Sequence, residues 1–400
     1  MNQSDFAAGR QGKNSTVQLR WPAKFSEVPK EVFHREDVYR VELERIFYGE
    51  HWHMLCHRAE IPNPGDFKTT HIGEASILIV HGDDGRIRVF NNSCAHRGTQ
   101  LKTISRGNSA EIECPYHRWI FNTRGDLLGA PGTGDFPGDF RKEAYGLTAL
   151  RTAEYLGLIF ATFRDSTPGI DEYLGETKRY VERALGDGRL KLLGYQKVMF
   201  HTNWKAYTDN CGYHGPLLHV AFRLLKLPAS KGEQFITRHS HKINYAEFPP
   251  GSNTGFLNDF SVVEIRDTTT PPQNTVVNFF PASHVVRNLD IVNLRFGFPR
   301  APDRTEAHYA YFAHQDDDAE MLRHRIRQGS NLIGPSGFVS LEDGAVFNRV
   351  QAAAGTAGTV EFQKGVTGRI EAPCLLERAS EAGNLIRWEY YRELMGFERD

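Results

Sequence analysis

Two short stretches decide how this chain is read: Cys94-Ala95-His96-Arg97-Gly98 and, with 17 residues between His96 and Cys114, Cys114-Pro115-Tyr116-His117-Arg118-Trp119. Cysteine thiolate and neutral imidazole are soft or borderline ligands, suited to zinc and to iron–sulfur clusters. Each Cys-His pair sits in a short loop between β runs, so two loop tips can close on one site. Structural zinc sites usually present paired cysteines, or a cysteine pair and then a histidine pair. Here each loop is mixed. That order can place both thiolates on one metal and both imidazoles on another. On spacing alone, a structural Cys₂His₂ zinc or two unrelated core pairs stay open.

The texture around these loops is that of a small all-β module. From Phe67 to Phe163 the chain runs in short β segments. Ala75–His81 and Arg86–Phe90 flank Gly82-Asp83-Asp84-Gly85, a hairpin signal. Asn122-Thr123-Arg124-Gly125 is a second turn, and Gly157–Phe163 is a closing strand. Upstream, residues 1–30 read as a loose arm, and Glu36 to Phe47 spaces its apolar residues as a helix does. Downstream, Ser166-Thr167-Pro168 is expected to cap a helix with Ile170, Leu174, Val181 and Leu185 on its apolar side. A helical stretch over 203–226, strands near 260–266, 275–286, 289–299 and 306–313, and helices near 317–328, 336–351 and 388–396 follow. Strands and helices without strict alternation predict an α+β domain over an antiparallel sheet. The expected division is 1–50 as arm and helix, 51–165 as the β module and 166–400 as the larger domain.

Composition bounds the function. The 400 residues carry 48 Lys plus Arg against 49 Asp plus Glu, so no overall field holds the chain on nucleic acid or an anionic membrane. Five cysteines beside 17 histidines argue against a disulfide framework and for a reducing compartment. Met1 to Lys24 has no signal-peptide core, and no run of 18 apolar residues occurs. The expected location is the cytoplasm, with no membrane span.

A second constellation begins at Asn203-Trp204-Lys205, continues through Asp209-Asn210, and ends in Tyr213-His214-Gly215-Pro216-Leu217-Leu218-His219. Two histidines five apart lie about 140° apart on an ideal helix. Gly215-Pro216 between them supplies the bend that could aim both at one ion. Alone this is also what a polar helix surface looks like. Likewise His51, His53 and His57 read as makers of structural hydrogen bonds, and Cys56 and Cys374 as buried free thiols.

Together these stretches closely resemble the large subunits of Rieske non-heme iron ring-hydroxylating oxygenases. The two Cys-His loops, the turn ending Gly125-Asp126-Leu127, and the entry Trp52 to Phe67 with Glu60-Ile61-Pro62 and Pro64-Gly65-Asp66-Phe67 match that family's cluster domain. Asn203-Trp204-Lys205 and Tyr213-His214 through His219 match its mononuclear-iron motif. Gly334-Pro335 through Glu342-Asp343 looks like the late helix that supplies the carboxylate. The resemblance covers roughly residues 35 to 396.

The resemblance implies an all-β Rieske domain inserted before a helix-grip-like catalytic domain with an antiparallel sheet. It implies one [2Fe–2S] cluster on Cys94, His96, Cys114 and His117, and one Fe(II) on His214, His219 and Asp343, with Glu342 or Asp316-Asp317-Asp318 as other carboxylates. Two His and one carboxylate leave positions open for O₂. Electrons would come from NAD(P)H through a separate flavin reductase and/or ferredoxin, since no nucleotide-binding Gly loop is present. A homotrimer, or an α₃β₃ assembly with a small beta subunit, is implied. The substrate would be an aromatic compound, hydroxylated once or twice, with O- or N-demethylation as the variant chemistry. Val220, Phe222 and Leu224 to Leu227 would be pocket wall or plain helix packing. Arg223 or another cation would hold any substrate carboxylate, or be a surface residue.

Two departures stand out. Arg118 replaces a commoner glycine. Cys211 stands where the family has an acid that bridges to a cluster histidine of the neighbouring subunit. Asp209, five before His214, is the nearest acid and the expected replacement. The readings outside this family are a Rieske electron carrier, which leaves His214, His219 and Asp343 idle, and a zinc-stabilised binding module.

Overall fold

Alternating apolar residues punctuated by glycine turns build antiparallel sheets. In the computed structural model the described residues are 17–209, 219, 232–247, 262–267 and 273–400. They part into two units, Ile46–Pro168 and Gly169–Asp400, the latter taken with the segment that ends at Arg45. The smaller unit is thus an insertion into the larger.

The smaller unit holds a seven-stranded antiparallel sheet in the order His53–His57, Leu158–Thr162, Ala149–Tyr155, Ile87–Asn91, Ala75–His81, Asp66–Ile72 and Arg106–Asn108. A second sheet joins Glu111–Glu113, Ile120–Asn122 and Leu127–Gly129. The turn between its last two strands needs glycine. Gly125 has φ +90°, and a Cβ there would lie 2.6 Å from the Phe90 ring. Asn122 Oδ1 accepts the amides of Arg124 and Asp126, each at 2.9 Å, and closes the turn.

His53 lies in the sheet, buried and stacked on Phe47 at 6.2 Å. Burial holds its imidazole down at about 4, with the Phe47 backbone opposing. Between that value and the ordinary 6.5 the unfolded chain binds a proton that the folded one does not. Stability therefore falls as pH drops through this window, by up to roughly 3 kcal/mol. The thermal midpoint of His53→Phe should fall less between pH 7 and pH 4.5 than that of wild type.

The larger unit carries an eight-stranded antiparallel sheet. Its order is Leu190–Phe200, Arg304–His314, Ile291–Ala301, Ser283–Asn288, Gln273–Phe279, Lys242–Glu247, Gly232–Ile236 and Cys374–Glu377. Among the described residues its helices are α1 (Glu36–Glu42), α2 (Ile170–Leu174), α3 (Thr177–Leu185), α4 (Trp204–Asp209), α5 (Ala319–Gln328), α6 (Phe338–Ala354) and α7 (Ala382–Met395). One sheet face presents Phe200, Tyr309 and Tyr311, which pack with Tyr207 of α4 and with Val339 and Phe347 of α6. This α+β arrangement is the expected class. Among the described residues no helix is long and apolar enough to cross a membrane.

Several local expectations need correction. Ser166-Thr167-Pro168 does not cap a helix: Ser166 bonds Glu50 and Thr167 bonds Thr162, and the helical run breaks into α2 and α3 at Gly175, φ +46°. Residues 262–267 form no strand. The run 275–286 is two strands parted at Phe280-Pro281, because proline brings no N–H to a ladder. The segment 17–30 is no loose arm. Trp21 is 1% exposed and stacks on Phe397, and Glu27–Pro29 pairs with Thr359–Glu361. Cys374 is half-buried, while Cys56 is fully buried.

Candidate metal centres

The two Cys-His loops are built alike. The Cys94 amide donates to the Thr99 carbonyl and the Cys114 amide to that of Trp119, both at 2.8 Å. Four residues past each cysteine, Gly98 and Arg118 return a bond to its carbonyl. Both take left-handed backbone, φ +71° and +59°. Glycine pays least for that conformation, which accounts for its being commoner at position 118. Here Arg118 pairs with Glu113 at 2.5 Å.

The loops bring like beside like. The Cys94 and Cys114 side chains lie close enough for the Cys114 thiol to disfavour ionisation of Cys94, and both residues are buried. The His96 and His117 rings meet edge-on at 4.7 Å, and His96 stacks flat on Trp119 at 4.6 Å. Nδ1 of His96 and Nδ1 of His117 are buried with no hydrogen-bond partner, an arrangement that leaves a nitrogen on each ring for a metal. Burial raises the Cys94 thiol, against the pull of the His96 and Arg97 amides. Desolvation first, then the charges of His117 and Arg97, hold His96 below its ordinary value. It is therefore neutral at pH 7, as a ligand must be. The residues present fit a [2Fe–2S] group with its ligands divided two and two. Among the described residues no three such side chains gather round one point as a single-ion site requires.

In the larger unit His219 is 2% exposed. Its Nδ1 lies 3.1 Å from Glu342 Oε2 and its Nε2 3.4 Å from Asp343 Oδ1. Both acids sit on α6, where Asp343 is buried and Ser340, one turn earlier, bonds the Ile333 carbonyl. His214, Cys211, Val220, Phe222, Arg223 and Leu224 to Leu227 lie outside the described residues. The other expected acids are engaged elsewhere: Asp316 with Arg189, Asp317 with Arg325, and Asp318 at the start of α5. A nitrogen and a carboxylate oxygen converging this closely, the imidazole being held from behind by a second carboxylate, is a donor set that suits Fe(II).

The Rieske [2Fe-2S] domain family matches residues 51–145. The large oxygenase component of salicylate 5-hydroxylase from Ralstonia sp is 33% identical over 360 residues, covering 82% of this chain and 85% of that one. The chain belongs to the Rieske oxygenase large-subunit family. Subunit alpha 2 of the terephthalate 1,2-dioxygenase terminal oxygenase component from Comamonas sp is 32% identical over 89% of the oxygenase and 92% of that relative. Naphthalene 1,2-dioxygenase from Rhodococcus sp., solved with indole, superposes with TM-score 0.82 at 25% identity, covering 92% of this chain and 94% of that one.

Glu42 and Glu342 have parts in the oxygenase that the sequence does not show, while Asp209 is an expected residue. Glu42 of α1 accepts from Trp204 Nε1 at 2.8 Å and from Lys205 Nζ and Tyr391 Oη, each at 2.5 Å. The Asn203-Trp204-Lys205 motif therefore anchors the start of α4. Glu342 was one of several alternative ligands, yet it lies on the far nitrogen of His219. Its signal was present, since it directly precedes Asp343. Asp209 ends α4, half-buried. Its Oδ1 accepts from Asn384 at 2.7 Å and it borders a small hollow with Phe280 and Arg387. Burial raises its carboxyl, with Lys242 and Arg387 opposing. His57 accepts from the Ala59 amide and bonds Leu156, as a structural histidine does.

Proposed function

We propose that this oxygenase is the terminal component of a multicomponent system that hydroxylates a single-ring aromatic compound by cis-dihydroxylation or monohydroxylation. Electrons from NAD(P)H arrive through a separate flavin reductase and/or ferredoxin. The assembly is a homotrimer or α₃β₃, in the cytoplasm. The relatives named for salicylate, terephthalate and anthranilate support such a substrate.

Cys94, His96, Cys114 and His117 are the residues offered for the cluster, and His214, His219 and Asp343 those for the mononuclear Fe(II). When bound, the cluster supplies single electrons and the mononuclear iron activates O₂. The protein's own part is orientation. Glu342 takes the Nδ1 hydrogen of His219, which leaves Nε2 as the ligating nitrogen and fixes the ring plane. The Trp119 face holds His96 in place. Asp209, tethered by Asn384 at the edge of the hollow, is offered as the acid that meets a cluster histidine of a neighbouring subunit.

The observation that carries this reading is the pair of donor sets in one chain: two buried, unpartnered imidazole nitrogens beside two thiols, and His219 within 3.4 Å of Asp343. The test combines metal analysis with single turnover. Wild type should be red-brown, with about three iron and two sulfide per chain, and should oxygenate an aromatic once reduced. Asp209→Asn should keep iron and colour but lose at least about tenfold in product per reduced cluster. Colourless, zinc-loaded protein would sink the oxygenase reading; wild-type product from Asp209→Asn removes only Asp209.

A further inference from the structure

The sheet face that α6 and α4 cover carries a continuous line of polar residues, with Asn293 and Asn244 beside it. Register places Gln196, Tyr309, Arg295, His284, Asn278 and Lys242 directly opposite one another across six strands. Side chains at paired positions share a face. This is the inner one: Tyr309 belongs to the core with Val339 and Phe347, Tyr207 meets His284 at 5.7 Å, and a Cβ at Gly297 would strike the Tyr207 ring. Six polar residues in a row through an interior oppose the hydrophobic pattern of a buried face, and such conflicts mark functional sites.

The centre of the row is a cation without an anion. Among the described residues Arg295 has no carboxylate within ion-pair distance. Its Nε donates to Asn293 Oδ1 at 3.2 Å, and its guanidinium lies 5.0 Å from the centre of the Tyr309 ring. That leaves the two Nη groups, which form the fork that matches a carboxylate. Asn293 is fully buried, and since its oxygen serves Arg295, its Nδ2 is turned elsewhere and has no acceptor. Nδ1 of His284, 5% exposed, has no partner either. Asp343 acts electrostatically on both Arg295 and Tyr309 from α6, so the row runs beside the proposed iron site.

We infer that Arg295, with Asn293 at its side, binds the carboxylate of an aromatic acid and so presents the ring to the site at His219 and Asp343. A half-buried guanidinium with no counterion costs free energy until an anion reaches it. An acid substrate supplies that anion, and a neutral arene leaves both donors unmet. Arg295 is the specificity residue in place of Arg223. The inference rests on the oxygenase reading and names the substrate class of that same site.

The test measures binding apart from turnover. Iron-loaded enzyme, without reductant, is titrated calorimetrically with benzoate, salicylate and terephthalate and with their uncharged amides. Wild type should bind at least one acid well above its amide. Arg295→Gln should weaken that acid about 100-fold and change the amide less than threefold, at unchanged iron and sulfide content. Arg295→Lys, which keeps the charge and loses the fork, should fall between and serves if the glutamine variant does not fold. Three results overturn the inference: no acid preference in wild type, no loss in the variants, or equal loss for acid and amide, the last being what an arginine that merely balances Asp343 would give. Acid preference with no oxygenated product from any aromatic sinks the oxygenase reading and leaves Arg295 standing. Product formation with an indifferent Arg295 does the reverse.

Discussion

Asp343→Ala should leave a folded, red-brown protein that has lost about one of its three irons and at least about a thousandfold of its product formation. Asp343 is 8% exposed on α6, with Oδ1 at 3.4 Å from Nε2 of His219. Alanine removes the only anionic ligand proposed for the mononuclear site and leaves imidazoles alone to hold a dication there. The open positions that a facial triad reserves for O₂ then have no defined geometry. The cluster ligands lie in the other unit, so sulfide and visible absorbance should stay at wild-type levels. Glu342→Gln is the internal contrast. It keeps the ligand set and weakens only the hold on Nδ1 of His219, so it should cost about 10- to 100-fold. Full iron and wild-type product in Asp343→Ala would remove this residue from the site. Elemental analysis beside a product assay with surrogate reductase reads both variants.

Glu42→Ala should destabilise the larger unit by about 3–5 kcal/mol. The Glu42 carboxylate is wholly buried and takes three donors, from Trp204, Lys205 and Tyr391. Lys205 is 3% exposed, and burial already lowers its ammonium against the opposing pull of Glu42. Without Glu42 that charge has no counterion, and two further donors are left unmet, each at roughly 1–3 kcal/mol if unrelieved. Replacing both charges at once, Glu42→Leu with Lys205→Met, should recover only the part of the loss that the unpaired ammonium causes, because Trp204 and Tyr391 remain without an acceptor. Urea titration followed by tryptophan fluorescence gives the numbers. A shift under about 1 kcal/mol for the single variant would mean that water or a neighbour replaces Glu42. Because α4 begins at Trp204, loss of this anchor should also raise the concentration of aromatic needed for half-maximal turnover.

How much of this could be read in advance depends on the reach of each interaction. The Cys94 and Cys114 loops are closed by bonds between residues four and five apart, so their form is written in a short word of sequence. The hairpin at Gly82–Gly85 and the turn at Asn122–Gly125 are equally local, as is the helix that carries Glu342 and Asp343. The misreadings have physical causes of their own. The Thr167 hydroxyl was counted as a cap, but Thr162 on the adjacent strand takes it. Trp21 was assigned to an arm because its partners, Trp388, Tyr391 and Phe397, lie at the other end of the chain.

The amino-acid order alone established the two Cys-His loops, the insertion of a β module into an α+β domain, and an acidic pair on a late helix. Each follows from backbone and side-chain preferences acting over a few residues. It could not say that Glu342 and Asp343 flank His219 from opposite sides, 123 residues away for the first of them. Nor could it show that Gln196, Tyr309, Arg295, His284, Asn278 and Lys242 form one line. Those facts are set by strand register, and register is a cooperative outcome of burying a whole sheet face. A shift of one residue in Ile291–Ala301 would turn Arg295 to the opposite face and take its charge away from Asp343.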